Sequence, residues 1–204
     1  MSSLPLFPLR TVLFPGGVLP LRVFEARYVD MIRRAMKDGS DFGDVMIRKG
    51  QEVEDRGVDI EEVGCRARID DWNMEQFGVL QITTIGTTRF RIVSHDALGD
   101  GLMVAEIEAL ETEPAVPLPN EFEACRSLLK RIVGRLDEAP REAADPMPLP
   151  IAKPYLFDDA GWVGNRLAEV LPIPLGAKHK LMALTDAPAR LSIIQQYLAE
   201  HGIA

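Results

Sequence analysis

The sequence predicts a mixed α+β fold in which a β-rich first half precedes a helical second half. In the first half, apolar and polar residues alternate with the period of two that a half-buried strand requires. A proline-rich segment, residues 112–119, then interrupts the chain. Beyond it, apolar residues recur three and four positions apart, which is the spacing of an amphipathic helix. The change of period at the prolines is the main evidence for two structural parts.

The β-rich half opens with an extended segment and one helix. Residues 4–9 are predicted to be extended, because each of the two prolines in this segment disfavours helix in the residue before it. Apolar side chains then recur at helical spacing at Phe24, Tyr28 and Ile32. Gly39 supplies a helix stop. We therefore place an amphipathic helix at about 24–38.

Short strands follow this helix. Several strands at this spacing, with glycine-containing turns between them, indicate a small antiparallel barrel or sandwich. The polar stretch 71–78 reads as the connection of a hairpin, and the Ile85-Gly86 pair reads as a break between two strands. The predicted strands are 42–48, 65–70, 78–84, 87–93 and 103–111.

The second half is predicted to be a helical bundle. Asn120 can cap the first helix with Glu123 as its capping-box partner, Asp158 or Asp159 can cap a later one, and Asp186 can cap the last. Residues 139–154 contain five prolines and are predicted to form a loop. The domain organisation that follows is a β-rich subdomain at 1–113, a proline-rich joint at 114–119 and a helical subdomain at 120–204.

Charge and composition exclude several classes of protein. The formal net charge is −8, and residues 1–113 hold 13 basic and 20 acidic side chains. Phosphate backbones repel such a chain, so nucleic acid is an unfavourable partner. The N-terminal residues do not form a signal peptide, and no apolar run is long enough to cross a membrane. With Cys65 and Cys125 expected to be buried and free, we predict a cytoplasmic protein.

Four ordered motifs resemble the N-terminal, substrate-binding domain of ATP-dependent Lon proteases. The first three are Leu4-Pro5-Leu6-Phe7-Pro8-Leu9-Arg10, then Val12-Leu13-Phe14-Pro15-Gly16 followed by Leu19-Pro20-Leu21, and then Val23-Phe24-Glu25-Ala26-Arg27-Tyr28. The fourth is Gly86-Thr87-Thr88-Arg89-Phe90-Arg91-Ile92, and further likeness reaches Leu167–Pro172 and Arg190-Leu191. The resemblance implies a PUA-like β pseudo-barrel with one helix, followed by a helical bundle, in a stand-alone Lon N-terminal domain protein.

The resemblance also implies recognition of polypeptide without catalysis, with protein quality control as its setting. The sequence has no G-x-x-x-x-G-K-[ST] phosphate loop, and the peptidase motif of the family is absent. We therefore expect a binding module for unfolded or flexible protein segments that needs no cofactor. An adaptor or chaperone-like role is its natural form, and a separate protease or chaperone is a possible partner.

The candidate peptide-binding residues fall in two places. Large apolar side chains are unusual in a polar hairpin connection, and exposed aromatic residues with methionine suit adaptable peptide binding. Folding back onto the protein core is the competing explanation for them. The second group lies in the family signature at the start of the helix, where a structural role competes with a role at a groove edge. The candidates are Trp72, Met74 and Phe77 in the connection, and Arg22, Glu25, Arg27 and Tyr28 in the signature.

Catalysis and metal binding are poorly supported by the sequence. Ser94, His95 and Asp96 are consecutive, so in a strand the histidine points away from its neighbours and cannot take the serine proton. Ser127 and Lys130 match S-x-x-K without the partner motifs of that chemistry. The acidic stretch 52–62 lacks the ligand spacing of a calcium loop. We predict no catalytic residue and no metal site.

Two alternatives stay open. Family membership favours a hydrolase or peptidase-associated activity, although the motifs for it are missing. PUA-like folds also bind RNA, and this alternative depends on a local basic face that offsets the acidic charge. The side chains that would form this face alternate along two predicted strands: Arg66, Arg68, Arg89 and Arg91.

Overall fold

The computed structural model describes residues 2–50, 58–76, 78–138 and 151–203, and the chain divides into two compact units, 1–111 and 112–204. Unit 1 contains seven strands and one helix, and unit 2 contains four α-helices and a 3-10 turn, counted over the described residues. The mixed α+β class predicted from the sequence is thereby confirmed.

Five strands of unit 1 pair in a closed ring. β1 (Ser2–Leu9) pairs in parallel with β3 (Phe42–Lys49) and antiparallel with β7 (Met103–Ala109). β7 pairs with β6 (Val79–Ala97), which pairs with β5 (Val63–Gln76), and β5 returns to β3. Because each of the five has a partner on both sides, the ring removes most of the exposed backbone edges that an open sheet leaves.

Two short strands extend the ring. β2 (Val18–Val23) pairs with the first part of β6, and β4 (Asp59–Ile60) pairs with the end of β3. In the same region, β5 and β6 form a long hairpin that turns at Gly78, where φ is +86°. Glycine adopts this left-handed conformation without the steric cost that other residues incur.

Successive residues of β1 pack into two different cores. Leu4 and Leu6 join a cluster that includes Phe90 and Ile107, whereas Phe7 and Leu9 join the cluster that contains the helix. The alternation follows from the period of two in a strand, and it makes both faces of the ring apolar. Strand β1 consequently has no fully exposed face.

The helix α1 (Ala26–Asp38) buries one stripe against the second cluster. Its buried residues lie at positions i, i+3, i+4 and i+7, and it ends at Gly39, whose φ is +63°. The predicted stop is therefore correct, whereas the predicted start at 24 is two residues early. Phe24 precedes the helix and is 56% exposed, so it does not belong to the buried stripe. The buried residues are Tyr28, Met31, Ile32 and Ala35.

Unit 2 begins with the proline-rich segment, which is held to the unit by backbone hydrogen bonds. Ala160 N donates to Val116 O at 2.8 Å, and Leu118 N donates to Asp158 O at 2.8 Å. A 3-10 turn (Asn120–Phe122) follows, with Pro119 before it and no side-chain cap. The predicted capping box at Asn120 is absent because the chain enters the helix through this tighter turn.

The helices of unit 2 are α2 (Glu123–Glu138), α3 (Ala160–Val170), α4 (Leu175–Ala183) and α5 (Ala187–Glu200). Two of them have the side-chain caps expected from their sequences. Asp159 Oδ1 accepts from Trp162 N at 2.6 Å, and Asp186 Oδ1 accepts from Ala189 N at 2.9 Å. Helix α3 is the central element, since it packs against α2, α4 and α5 and its residues 160–168 are all buried except Trp162.

Candidate functional site

The family signature and the hairpin meet on one three-stranded segment of sheet, although Arg22 is the one signature candidate within β2 and lies opposite Gln81. In unit 1, β6 lies between β2 and the outer part of β5, and Ile82 is opposite both Leu21 and Trp72. Residues directly opposite each other across antiparallel strands share a face. Two strand spacings separate Leu21 from Trp72, which is about 10 Å between Cα atoms. The hairpin and the family signature thus contribute to the same face.

Trp72 and Met74 are exposed on this segment. Trp72 is 53% and Met74 is 41% accessible, while Ile82 in the middle of the row is buried. The sequence placed these residues in a loop, but they lie in β5, which continues to Gln76. The competing expectation, that Trp72 folds back into the core, does not hold in the structure. Phe77, the third candidate of this group, lies outside the described residues.

A cleft of about 180 Å³ opens beside β2. Its walls come from β1, β2 and the start of α1, and they are mostly apolar. Tyr28 stacks on Phe7 with a ring-centroid distance of 4.2 Å and an interplanar angle of 19°. The lining residues are Phe7, Leu9, Pro20, Leu21, Arg22, Val23, Phe24, Glu25 and Tyr28. Three of the sequence candidates, Arg22, Glu25 and Tyr28, therefore line one cleft.

Arg27 fixes the wall of the cleft rather than lining it. Its Nη2 lies 2.7 Å from Glu25 Oε2, and its Nη1 donates to Gly101 O at 3.1 Å. The guanidinium also sits 4.7 Å from the centroid of the Tyr28 ring. One cation therefore holds the carboxylate and the aromatic ring of the cleft against the turn between β6 and β7.

The sequence missed the aliphatic and aromatic part of this cleft. Phe24 was assigned to the buried stripe of the helix, and Leu21 and Phe7 were treated only as signature residues. The sequence signal that could have identified these residues is the length of the family signature, because every residue from Pro20 to Glu25 lines the cleft. What could not be read from the sequence is that β1 brings Phe7 and Leu9 to the opposite wall.

The outer edges of this three-stranded segment offer few free backbone donors. Gly86 N donates to Gly17 O at 2.9 Å, and the next pair along the strands is Val18 with Ile85. Hydrogen-bonded and non-hydrogen-bonded pairs alternate along antiparallel strands. The backbone polar groups of Val18, Pro20 and Arg22 therefore point away from β6. Pro20 has no N–H. On the other edge, Trp72 N donates to Asp71 Oδ1 at 2.8 Å. Both edges are thus blunted, and the accessible groups are side chains on the face.

The predicted basic face does not form. Arg89 is 4% exposed, and it lies opposite Cys65, whose side chain is also buried. Arg66 and Arg68 alternate with Cys65 along β5 and so project from the other face of the sheet. The prediction fails because a register shift beside Cys65 and the two apolar cores change which residues point outward.

Two of the remaining arginines of that group, Arg68 and Arg91, have acidic neighbours. Arg68 Nη2 lies 3.7 Å from Asp70 Oδ1, and Arg91 Nη1 lies 3.8 Å from Glu62 Oε2. Both pairs are about half exposed and therefore weak, yet they lower the positive potential that a phosphate backbone would meet.

The candidate catalytic motifs are not assembled as catalytic groups. Ser94, His95 and Asp96 lie in β6 and are exposed, and neighbouring residues of a strand project to opposite faces. Ser127 Oγ donates to Glu123 Oε1 at 3.2 Å. The Lys130 ammonium lies 5.4 Å from the centroid of the Phe157 ring. Serine and lysine of the S-x-x-K pattern thus have separate partners.

No group of three or more histidine, cysteine, aspartate or glutamate side chains suited to a metal ion occurs in the described ranges. The acidic stretch considered as a calcium loop lies largely outside them. Both cysteines are buried thiols outside any disulfide of the described residues, and burial raises the pKa of the Cys125 thiol to about 11. Within the described part of the chain, no helix is long and apolar enough to cross a membrane.

An apolar cleft beside exposed aromatic side chains is typical of a binding domain. Comparison with known families then identifies it. The chain belongs to the family described as the ATP-dependent protease La (LON) substrate-binding domain, whose model matches residues 3–200. The resemblance stated from the sequence motifs is confirmed.

Relatives and solved structures agree with this assignment. Lon protease from Anaeromyxobacter dehalogenans (strain 2CP-C) is 28% identical over 202 residues, and Lon protease 2 from Myxococcus xanthus is 28% identical over 200. These matches cover 97% and 96% of this chain but 23% of each protease. The 204 residues thus hold the substrate-binding domain and not the catalytic domains of a Lon protease.

The crystal structure of a Lon N-terminal domain protein from Xanthomonas campestris has 34% sequence identity and a TM-score of 0.76, and 98% of each chain is covered. The N-terminal domain of a Mycobacterium avium complex Lon protease superposes with a TM-score of 0.61 at 15% identity, over 98% of this chain and 100% of that one. The second likeness concerns the fold alone.

Proposed function

We propose that this protein recognises unfolded or flexible polypeptide segments without acting on them chemically. The observation that carries the proposal is the exposed Trp72 on the three-stranded face that also leads to the cleft. An adaptor or chaperone-like role in the cytoplasm, with a separate protease or chaperone as partner, is part of it. The proposal also describes unit 1 as a PUA-like β pseudo-barrel and unit 2 as a helical bundle.

The exposed side chains supply a driving force for binding. A tryptophan side chain buries about 150–250 Å² when fully covered, so covering the accessible half of Trp72 removes on the order of 100 Å² from water. At about 25 cal/mol per Å², this contributes ~2.5 kcal/mol. Phe24 and Met74 add smaller amounts of the same kind. The total suits modest affinity, because ordering a flexible client costs free energy.

The cleft suits one large apolar side chain of such a client. Its 180 Å³ volume is close to that of a single bulky residue, and the Phe7–Tyr28 stack forms an apolar wall. Arg22 and Glu25 supply polar groups at the same cleft. An extended client would place one anchor there while neighbouring side chains contact Trp72, about 10 Å away.

The blunted strand edges favour this mode over strand addition. Binding through an edge requires a row of free N–H and C=O groups, which Pro20 and Asp71 interrupt. Recognition by side chains on a face also depends little on client sequence, and adaptable groups such as Met74 tolerate varied partners.

The proposal is tested by fluorescence anisotropy with a labelled client protein, reduced and carboxymethylated so that it stays unfolded, alongside its native form. We expect binding of the unfolded form only. Trp72→Ser combined with Met74→Ser should weaken binding about tenfold or more, since central aromatic residues contribute about 2 kcal/mol or more to such surfaces.

The matched control replaces two exposed apolar residues of unit 2, Leu175 and Ile193, which are 43% and 51% accessible. Leu175→Ser with Ile193→Ser should leave the dissociation constant within twofold of the original. Equal binding of native and unfolded client, or equal loss in both double variants, would show that the face around Trp72 is not the recognition surface.

A further inference from the structure

The turn between β6 and β7 exposes a leucine on the side of the cleft. Leu98 directly follows β6 and is 48% exposed, and Leu102 directly precedes β7 and is buried. Leu98 N donates to Leu102 O at 2.8 Å, so the two residues are directly opposite each other and their side chains share a face. Leu102 packs into the cluster that also supplies four lining residues of the cleft: Phe7, Leu9, Val23 and Tyr28. The exposed leucine therefore lies on the face of the hairpin that packs against the cleft walls.

Arg27 fastens this turn to the cleft. Its Nη1 donates to Gly101 O at 3.1 Å, while its Nη2 lies 2.7 Å from Glu25 Oε2 at the cleft. Within the turn, Gly101 N donates to Leu98 O at 2.8 Å. Gly101 has a φ of +84°, and a Cβ there would stand 3.1 Å from Arg27 Nη1, so glycine allows the close approach. Two successive hydrogen bonds thus connect Leu98 with the guanidinium group beside the cleft.

The charged groups between the cleft and Leu98 are engaged within the protein. Arg27 and Glu25 pair with each other, and their side chains are only 11% and 21% exposed. Asp100 Oδ1 accepts a hydrogen bond from Leu102 N at 2.9 Å. An apolar polypeptide segment suits such a surface, because an inorganic ion would leave the exposed part of Leu98 in contact with water.

We propose that the β6–β7 turn is a second contact surface for the client, so that a bound segment runs from Trp72 across the cleft and covers Leu98. This inference rests on the proposed function, since it extends the same surface. Arg27 is its positioning residue, because it holds the turn and the cleft wall in one arrangement. An extended chain rises about 3.3 Å per residue, so about twelve residues reach both flanks of the cleft, whereas about five occupy the cleft and little beyond it.

Two fluorescein-labelled peptides in a glycine and serine background test this path by anisotropy. The long peptide has about twelve residues, with a central phenylalanine and a leucine near each end. The short peptide has about five residues, with the phenylalanine alone. Leu98→Ser should raise the dissociation constant of the long peptide about fivefold, because binding no longer removes half a leucine side chain from water. The short peptide should bind as before, within about twofold.

The matched control is Leu156→Ser in unit 2, where the leucine is 49% exposed. It should change neither dissociation constant by more than about twofold. Equal effects of Leu98→Ser and Leu156→Ser, or equal effects of Leu98→Ser on both peptides, would overturn the inference. The proposed function survives that result if Trp72→Ser with Met74→Ser still weakens binding of unfolded client. If the original protein binds neither peptide nor unfolded client, both proposals are wrong.

A double-mutant cycle tests the positioning role of Arg27. Arg27→Met removes both polar contacts, so adding Leu98→Ser in this background should change the affinity for the long peptide less than about twofold. Arg27→Lys keeps a cation beside Glu25 and should restore an effect of about threefold. A residue that served only the stability of unit 1 would leave the fivefold effect of Leu98→Ser intact in Arg27→Met, and that result would remove the positioning role.

A second copy of this chain is the alternative occupant of the turn. Sedimentation velocity at rising protein concentration, without peptide, measures self-association of the original protein and of Leu98→Ser. We expect the same sedimentation coefficient for both. Self-association that Leu98→Ser abolishes would assign the leucine to an interface between copies and overturn its assignment to the client.

Discussion

Among single residues, Arg190 makes four polar contacts within the described part of unit 2. Its guanidinium is fully buried, and Nη1 and Nη2 each lie 3.0 Å from a carboxylate oxygen of Glu113. Nε donates to Leu181 O at 2.9 Å, and Nη2 also donates to Leu184 O. One side chain therefore ties the start of the unit to the carbonyls at the end of α4.

Glu113→Ala should destabilise unit 2 by about 3–5 kcal/mol, because it leaves a buried guanidinium without its counter-charge. Urea unfolding followed by Trp162 fluorescence in a Trp72→Phe background reports on unit 2, since each unit contains one of the two tryptophans. The control Glu138→Ala, at an exposed glutamate of unit 2, should change the free energy of unfolding by less than about 0.5 kcal/mol. A loss below 1 kcal/mol for Glu113→Ala would show that the pair contributes little.

Among the elements, β6 shows where tertiary packing overrides a local signal. The glycine that suggested a break lies inside a continuous strand, because a Cβ at Gly86 would stand 2.1 Å from Phe14 O and 3.1 Å from Cys65 Sγ. The residue is needed for a close backbone approach rather than for a turn.

Gly86→Ala should therefore destabilise unit 1 by about 1–3 kcal/mol, the cost of forcing an extra group into a packed site. The measurement is urea unfolding followed by Trp72 fluorescence in a Trp162→Phe background. Gly134→Ala in unit 2 is the matched control, followed by Trp162 fluorescence in a Trp72→Phe background. Gly134 lies in α2 with open space around it, so alanine should stabilise that helix by about 0.5–1 kcal/mol. A neutral Gly86→Ala would favour the turn that the sequence suggested.

The sequence predicted the elements whose signals are local. Gly39, Asp159 and Asp186 mark helix ends through their own backbone or side-chain bonds, so these ends could be read directly. The site could be predicted only in part. Arg22, Glu25 and Tyr28 were found through the signature, whereas Phe7 reaches the same cleft only because β1 pairs with β3 and β7. Arg89 was misplaced for the same reason, since long-range pairing sets its face.

Over the whole molecule, apolar groups are exposed while backbone edges are protected. Trp72, Met74 and Phe24 are accessible in unit 1, yet five of its seven strands form a ring. The edges next to the exposed face carry Pro20 and the Asp71–Trp72 hydrogen bond. The same surface thus exposes apolar side chains for contact while its strand edges offer little backbone for pairing.

Pro20→Val should make the protein aggregate when it is mixed with unfolded client, because it adds an N–H to the outer edge of β2. Light scattering and thioflavin T fluorescence during incubation at 37 °C measure this. Pro114→Val, at an exposed proline of unit 2, serves as the control, and its mixture with client should show no increase in light scattering. Equal scattering from both variants would remove the role assigned to Pro20.

The blunted edges have a consequence for any chain held on this surface. A surface that grips an unfolded segment concentrates material that is prone to form cross-β assemblies, and an open strand beside it would act as a seed. Under the proposed function, Pro20 on one side and Asp71 on the other would let the face around Trp72 hold such a segment without templating its conversion into fibre. The protein would bind the side chains of a client without pairing with its backbone, so a bound chain could be released still unfolded.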